Sequence, residues 1–224
     1  MAKAKHKIVK VVKGSVRIDT GNALEWLKGL PAKSVQCCIT SPPYFGLRDY
    51  GTEPVGWPEV EYVPMAGLGL PPLRLGVMST RLGLEPSIKA YIGHLVLIMR
   101  GVRRVLRDDG VLWLNMGDTY ASGHMSGKHG PNSTFGQDSK RGQSITQLPA
   151  RKPSQGTKVK DLLGMPWRVS FALQADGWCL RQEIIWHKPN PMPESVTDRC
   201  TKAHEQLFLL SKRAKYYYLS LIHI

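Results

Sequence analysis

Acidic side chains are scarce. The chain of 224 residues has 17 Asp and Glu against 31 Lys and Arg, a formal net charge of +14. Such a balance favours a polyanionic partner, with nucleic acid ahead of an anionic membrane surface. Long hydrophobic runs are missing too: Leu95-Val96-Leu97-Ile98-Met99 is flanked by charge and falls far short of the roughly 20 apolar residues that span a bilayer. No membrane partner is expected. The basic start, Met1 to Lys7, is followed by neither the apolar core nor the small-residue cleavage site of a secretory signal. Cysteine is sparse, and Cys37, Cys38, Cys179 and Cys200 form no Cys-x-x-Cys pair and have no ligand-like histidine spacing. No metal site is expected from that pattern. Cys37 and Cys38, neighbours in a strand, should face opposite ways as small buried hydrophobes in a reducing cytoplasm.

The length suits one sizeable core, so residues 1–224 are read as a single domain. Its organising stretch is Thr40-Ser41-Pro42-Pro43-Tyr44, which follows the apolar run Val35 to Ile39. The run predicts a short buried strand, and ligand sites of open α/β sheets form at the C-terminal edges of strands. Two prolines carry no N–H, so ladder pairing stops there, and each forces its predecessor to be extended. The outcome is a stiff turn with outward carbonyls beside a hydroxyl and an aromatic ring. Hydroxyl and carbonyl can accept the two N–H bonds of an exocyclic amine, while the Tyr44 face stacks on the base for roughly 1–3 kcal/mol. On these few residues alone, a proline-rich turn or a polyproline ligand is the better reading, and the strand before them with the matches downstream reverses it.

Along the chain, residues 1–14 read as a basic arm, and Val16 to Asp19 as a strand. A short helix over 22–27 points Leu24, Leu27 and Leu30 inward, and the next strand covers 34–40, giving one βαβ unit. Residues 51–84, rich in Pro and Gly, show no period and predict a long loop beside the site; Arg74 and Arg81 there are either phosphate contacts or solvated charges. From Pro86, apolar residues recur at helical spacing through Ile88, Tyr91, Ile92, Leu95, Ile98, Val102 and Leu106. Asp108-Asp109-Gly110 should end that helix. Its Arg100, Arg103, Arg104 and Arg107 read as a solvated face matched to the helix dipole. Val111 to Met116 predicts a buried strand. Residues 121–160 turn polar and basic, a second long loop that folds onto DNA or stays flexible. A helix over 162–175, a strand over 178–186 and an antiparallel strand over 204–212 complete the chain. His204 is the tempting general base, but with no carboxylate partner in view a structural role is the better reading.

Ser41-Pro42-Pro43-Tyr44, continued as Phe45 to Gly51, resembles the catalytic motif of bacterial and phage DNA amino-methyltransferases. The helix and strand over 84–116 and the stretch Trp186-His187-Lys188-Pro189-Asn190-Pro191-Met192-Pro193 match the same family in order, so the likeness covers about residues 15–218. It implies a Rossmann-like α/β sheet of seven strands, S-adenosylmethionine as cofactor, double-stranded DNA as partner and a cytoplasmic setting. It also implies catalytic roles for Ser41, Pro42, Pro43 and Tyr44. Serine at the head of the motif is the habit of cytosine-N4 enzymes; adenine-N6 is the near alternative, and a non-catalytic nucleic-acid-binding module is a rival of another class. Asn22 stands where the family usually has an aspartate near the cofactor's adenosine; the other reading makes it a helix N-cap. Thr40 is a second candidate at the cofactor. Arg48, Lys140, Arg141, Lys152 and Lys188 are the candidates for DNA contact. The family's glycine-rich cofactor motif has no counterpart before Ile224, so the expectation is an incomplete, C-terminally truncated domain that is inactive alone.

Overall fold

The computed structural model describes residues 7–11, 14–121, 156–194 and 196–218. Its main sheet has four strands in the order β3-β8-β10-β9. Strand β3 (Val35–Thr40) runs parallel to β8 (Leu106–Met116), and β10 (His204–Ser211) is antiparallel to both β8 and β9 (Cys179–His187). The antiparallel return over 204–212 is as the sequence predicts. Leu112, Leu114, Met116, Phe208 and Leu210 fill the buried centre of the sheet.

The outer strand departs from expectation. Beyond β3 no strand is paired among the described residues, and Ile39 is 79% exposed. Cys37 is exposed, contrary to the expectation of a buried thiol, whereas Cys38 is half-buried against the core. Burial pushes the Cys38 thiol up to about 11, with the neighbouring Cys37 adding to it.

The long helix α2 (Ile88–Val105) starts at Ser87, whose hydroxyl accepts from the Ala90 N–H at 3.2 Å. It ends three residues sooner than the Asp108-Asp109-Gly110 signal implied. The physical reason lies in tertiary pairing: Leu106 already pairs with Val35, and the Leu106, Asp109 and Gly110 carbonyls accept from Lys212 Nζ, Tyr217 N and Lys212 N. Helix α3 (Met165–Ala175) packs beside α2 and closes at Gly177, whose φ of 96° suits only glycine comfortably. Helix α1 (Ala23–Gly29) buries Leu27, with Leu24 and Leu30 half-buried.

Three further expectations are corrected. Within the basic arm, residues 7–11 form strand β1 (Lys7–Val11), paired antiparallel with β2 (Gly14–Ile18). Because β2 joins β1 and not the main sheet, no βαβ unit links it through α1 to β3. The stretch read as a loop over 51–84 carries four short strands: β4 (Val55–Trp57), β5 (Val60–Tyr62), β6 (Leu73–Leu75) and β7 (Met78–Thr80). They pair as β4–β7 and β5–β6, two nested ladders in one continuous antiparallel register interrupted around Pro58. Each strand is three residues long, too short to show a period in sequence. The hairpin seats on α2 at Gly93, where a Cβ would lie 2.4 Å from Leu75 Cδ1 and 3.1 Å from Val60 Cγ1.

Three α2 arginines clamp neighbours, although Arg100 and Arg104 also stay exposed as a solvated face would. Arg104 donates to the Leu27 and Leu30 carbonyls that end α1, and Arg100 joins Asp176 to the Glu61 carbonyl. Arg103 donates to the Gly177 carbonyl at 3.2 Å. Among the described residues, no helix is long and apolar enough to cross a membrane.

Candidate active site

The corner after β3 is braced from beneath by α2 and the turn before it. Thr40 is still in register with Leu114, after which Pro42 is buried and Ser41 exposed. The Pro43 carbonyl accepts from the Tyr91 hydroxyl of α2 at 2.9 Å. Gly46 N donates to the Gly83 carbonyl at 2.7 Å. Gly83 has a φ of 90°, and a Cβ there would meet the Tyr44 carbonyl at 3.0 Å and Pro43 Cβ at 3.3 Å. Its N–H is held by Glu85 Oε2 at 2.8 Å, and Glu85 Oε1 lies 3.0 Å from His94 Nδ1 in a buried pair. His94 in turn stacks on Trp57, ring centroids 4.1 Å apart and 9° from parallel. The nested hairpin therefore reaches the corner through Trp57, His94, Glu85 and Gly83.

Above this base stands a polar network centred on Glu205. Ser41 Oγ donates to the Tyr44 hydroxyl at 3.2 Å, and that hydroxyl donates to Glu205 Oε2 at 3.0 Å. Asn115 Nδ2 donates to the same oxygen at 3.1 Å, while Lys188 Nζ bonds Oε1. Burial alone would raise the Glu205 carboxyl, but the bonds from Lys188, Asn115 and Tyr44 outweigh it and hold the group below the ordinary carboxylate range. Burial, reinforced by the Glu205 charge, pushes the Tyr44 hydroxyl up to about 12 even though Ser41 pulls the other way. Tyr44 therefore stays a neutral donor. Its ring lies against Gly117, where a Cβ would sit 2.5 Å from Tyr44 Cε2. Ser41, Pro42, Tyr44, Leu47, Arg48, Tyr50 and Glu205 line an open cleft of about 270 Å³, room for a single nucleobase.

A second cavity, about 430 Å³, adjoins the first. Arg48 and Tyr50 line both, Pro43 and Asn22 belong to the second, and Ser41, Pro42 and Tyr44 to the first. The proline corner thus parts two chambers. Asn22 is the N-cap of α1, its Oδ1 accepting from Leu24 N at 2.9 Å. The structure accordingly shows its capping role. Thr40, half-buried, closes β3 and lines neither chamber. Lys188, one of the expected DNA contacts, is drawn onto Glu205; Lys140, Arg141 and Lys152 lie outside the described residues.

Sequence reasoning passed over Glu205, Asn115, Tyr91 and Gly117. The signal for Glu205 was a carboxylate opening an otherwise apolar strand, with attention falling on its neighbour His204. That histidine is half-buried and faces His187 across the ladder. Asn115, similarly, is an amide inside an apolar run, and only the fold brings both to Tyr44.

An α/β sheet whose strand end carries Ser-Pro-Pro-Tyr over a polar cleft fits the class that the motif resembles, the DNA amino-methyltransferases. The chain belongs to the N6/N4 DNA methylase family, described as DNA methylase, which matches residues 35–224. It is 44% identical over 204 residues to the type II methyltransferase M.SmaI of Serratia marcescens, covering 91% of this chain and 58% of that one. With M.Cfr9I of Citrobacter freundii it shares 42% over 198 residues, covering 88% and 55%. The chain spans somewhat more than half the length of these curated relatives. Among solved structures, the PvuII DNA methyltransferase, described as cytosine-N4-specific, superposes with a TM-score of 0.50 at 15% identity over 88% of this chain and 49% of its own. A Thermus thermophilus protein assigned as a DNA modification methylase, crystallised with S-adenosyl-L-methionine, also reaches 0.50 at 17% identity, over 90% and 55%. These two likenesses show the α/β methyltransferase fold.

Proposed function

We propose that the full-length protein transfers a methyl group from S-adenosylmethionine to the exocyclic N4 amine of a cytosine flipped out of double-stranded DNA. One observation carries the reading: an exposed serine hydroxyl and a half-buried tyrosine ring stand together in an open cleft at the end of a parallel strand. The target base leaves its stack at a cost of a few kcal/mol. Tyr44 stacks on it, and Ser41 with the Pro42 carbonyl accepts the two amine hydrogens, which draws the nitrogen lone pair out of conjugation with the ring. The Pro43 carbonyl already accepts from the Tyr91 hydroxyl, which leaves it one lone pair. Catalysis then rests on positioning and fixed dipoles, with no covalent link to the enzyme.

The chamber beyond Pro43 fits the nucleoside part of the cofactor. Its volume of about 430 Å³ falls in the range of small-molecule sites, about 300–1,000 Å³. Its walls combine Leu24, Leu84 and Ile98 with the Asn22 amide and the Glu53 carboxylate. Asn22 keeps its Nδ2 for an adenine nitrogen while Oδ1 caps α1, and Glu53 offers acceptors for ribose hydroxyls or charge for a sulfonium. When bound, S-adenosylmethionine supplies the electrophilic methyl group. Thr40 and the DNA contacts at Arg48, Lys140, Arg141, Lys152 and Lys188 remain part of the proposal.

The choice of cytosine draws on Ser41 heading the motif and on the cytosine-N4 description of the PvuII neighbour. Adenine N6 presents the same donors beside a ring acceptor and is the second reading. The test incubates unmethylated genomic DNA with the full-length protein and the methyl donor, then analyses the nucleosides by mass spectrometry. N4-methylcytosine is expected. N6-methyladenine would move the reading to the second base, and no product would leave a nucleic-acid-binding module.

A further inference from the structure

A serine at the head of the corner has an ambiguity of polarity. Its hydroxyl holds one proton and two lone pairs, so it meets a base either as acceptor or as donor. A donor facing an exocyclic amine would place two N–H bonds and an O–H bond head to head. The network around Glu205 removes the ambiguity. An ionised carboxylate only accepts, and three donors converge on this one: Lys188 Nζ, Asn115 Nδ2 and the Tyr44 hydroxyl. Tyr44 has a single proton, which is committed to Glu205 at 3.0 Å. Its oxygen can therefore only accept from Ser41, 3.2 Å away. The one Ser41 proton is then spent inward, and lone pairs alone face the cleft.

We propose that Glu205, acting through the Tyr44 hydroxyl, fixes Ser41 as a pure hydrogen-bond acceptor and so selects a base that presents an amine over one that presents a carbonyl. The inference rests on the methyl-transfer reading and deepens it. Glu205 is a positioning residue here, sitting in the cleft wall but working through its neighbour. Glutamine at 205 would reverse the chain, since its amide can donate to Tyr44, which then donates to Ser41 and turns the serine proton toward the amine. An aspartate at 41 needs no such instruction, because a carboxylate accepts whatever stands behind it.

The experiment measures methylated nucleoside formed by the full-length protein for wild type, Glu205→Gln, Tyr44→Phe, Ser41→Asp and the Ser41→Asp/Glu205→Gln pair. Glu205→Gln is expected to lower kcat by roughly tenfold or more, the worth of one charged hydrogen bond, with KM for DNA little changed. Ser41→Asp sets its own reference rate, and adding Glu205→Gln to it should cost far less than Glu205→Gln costs the wild type. Tyr44→Phe keeps the ring but cuts the chain, so it should also lose rate, and adding Glu205→Gln to it should cost nothing further. The proposal is overturned if Glu205→Gln runs at the wild-type rate, or if Glu205→Gln slows the Ser41→Asp protein by the same factor as it slows the wild type. Additive losses in the Tyr44→Phe double variant would overturn it too. A wild-type protein that leaves no methylated nucleoside removes the methyl-transfer reading and this inference with it, a failure distinct from the others.

Discussion

Tyr44 serves two purposes that one substitution cannot separate and two can. On the proposed function its ring is the stacking face, and its hydroxyl links Ser41 to Glu205. Tyr44→Ala should lose far more methylation than cofactor affinity, by about 1–3 kcal/mol of base stacking alone; single-turnover rates set beside a binding titration check this, and equal losses would argue against stacking. Glu205 also ties stability to pH. Its folded carboxyl lies below the ordinary value of 4.5, so its contribution is complete above that pH and fades as pH falls through the lower folded value. Urea unfolding of wild type should weaken below about pH 4.5 more steeply than that of Glu205→Gln, whose residue cannot titrate. The corner's residue types were legible in the sequence only beside the strand before them and the matches downstream, because paired prolines alone also fit an ordinary proline-rich turn. The network was not. Glu205 and Asn115 are 90 positions apart, and nothing local in either strand says they converge.

At the scale of elements, close packing sets the orientation of the site. Gly117, just past β8, leaves space for the Tyr44 ring, and a methyl group there would intrude to within 2.5 Å. Gly117→Ala is expected to cost roughly 1–3 kcal/mol through overpacking and to depress methylation more than it depresses the melting temperature. Helix α1 depends on α2 through Arg104, so Arg104→Ala should lower stability by about 1.5–3 kcal/mol, the range for bonds from a charged donor; denaturant midpoints test it. In sequence those arginines looked like a solvated face, since dipole matching and tertiary clamping demand the same residues in the last turn. Helices α2 and α3 and strand β10 were legible because their periods run for eight residues or more. The three-residue strands between Val55 and Thr80 were not, for a period needs several repeats to be seen.

Across the whole molecule, charge and connectivity matter most. A formal net charge of +14 predicts DNA binding whose affinity falls steeply with salt through counterion release. Fluorescence anisotropy between low and physiological salt measures the slope, and a flat response would speak against a phosphate-tracking surface. The segment from Val55 to Thr80 also governs how this molecule tolerates changes of length. Its two ladders keep one register, and Trp57 at the outer ladder leans on the histidine pair beneath the corner. Residues added between Tyr62 and Leu73 would lengthen only the far turn. A single residue lost at Pro58 would swing Val60 and Tyr62 to the opposite side and unseat the strand pair from its helix. Natural variation in this segment should therefore gather at the distal bend and spare the waist.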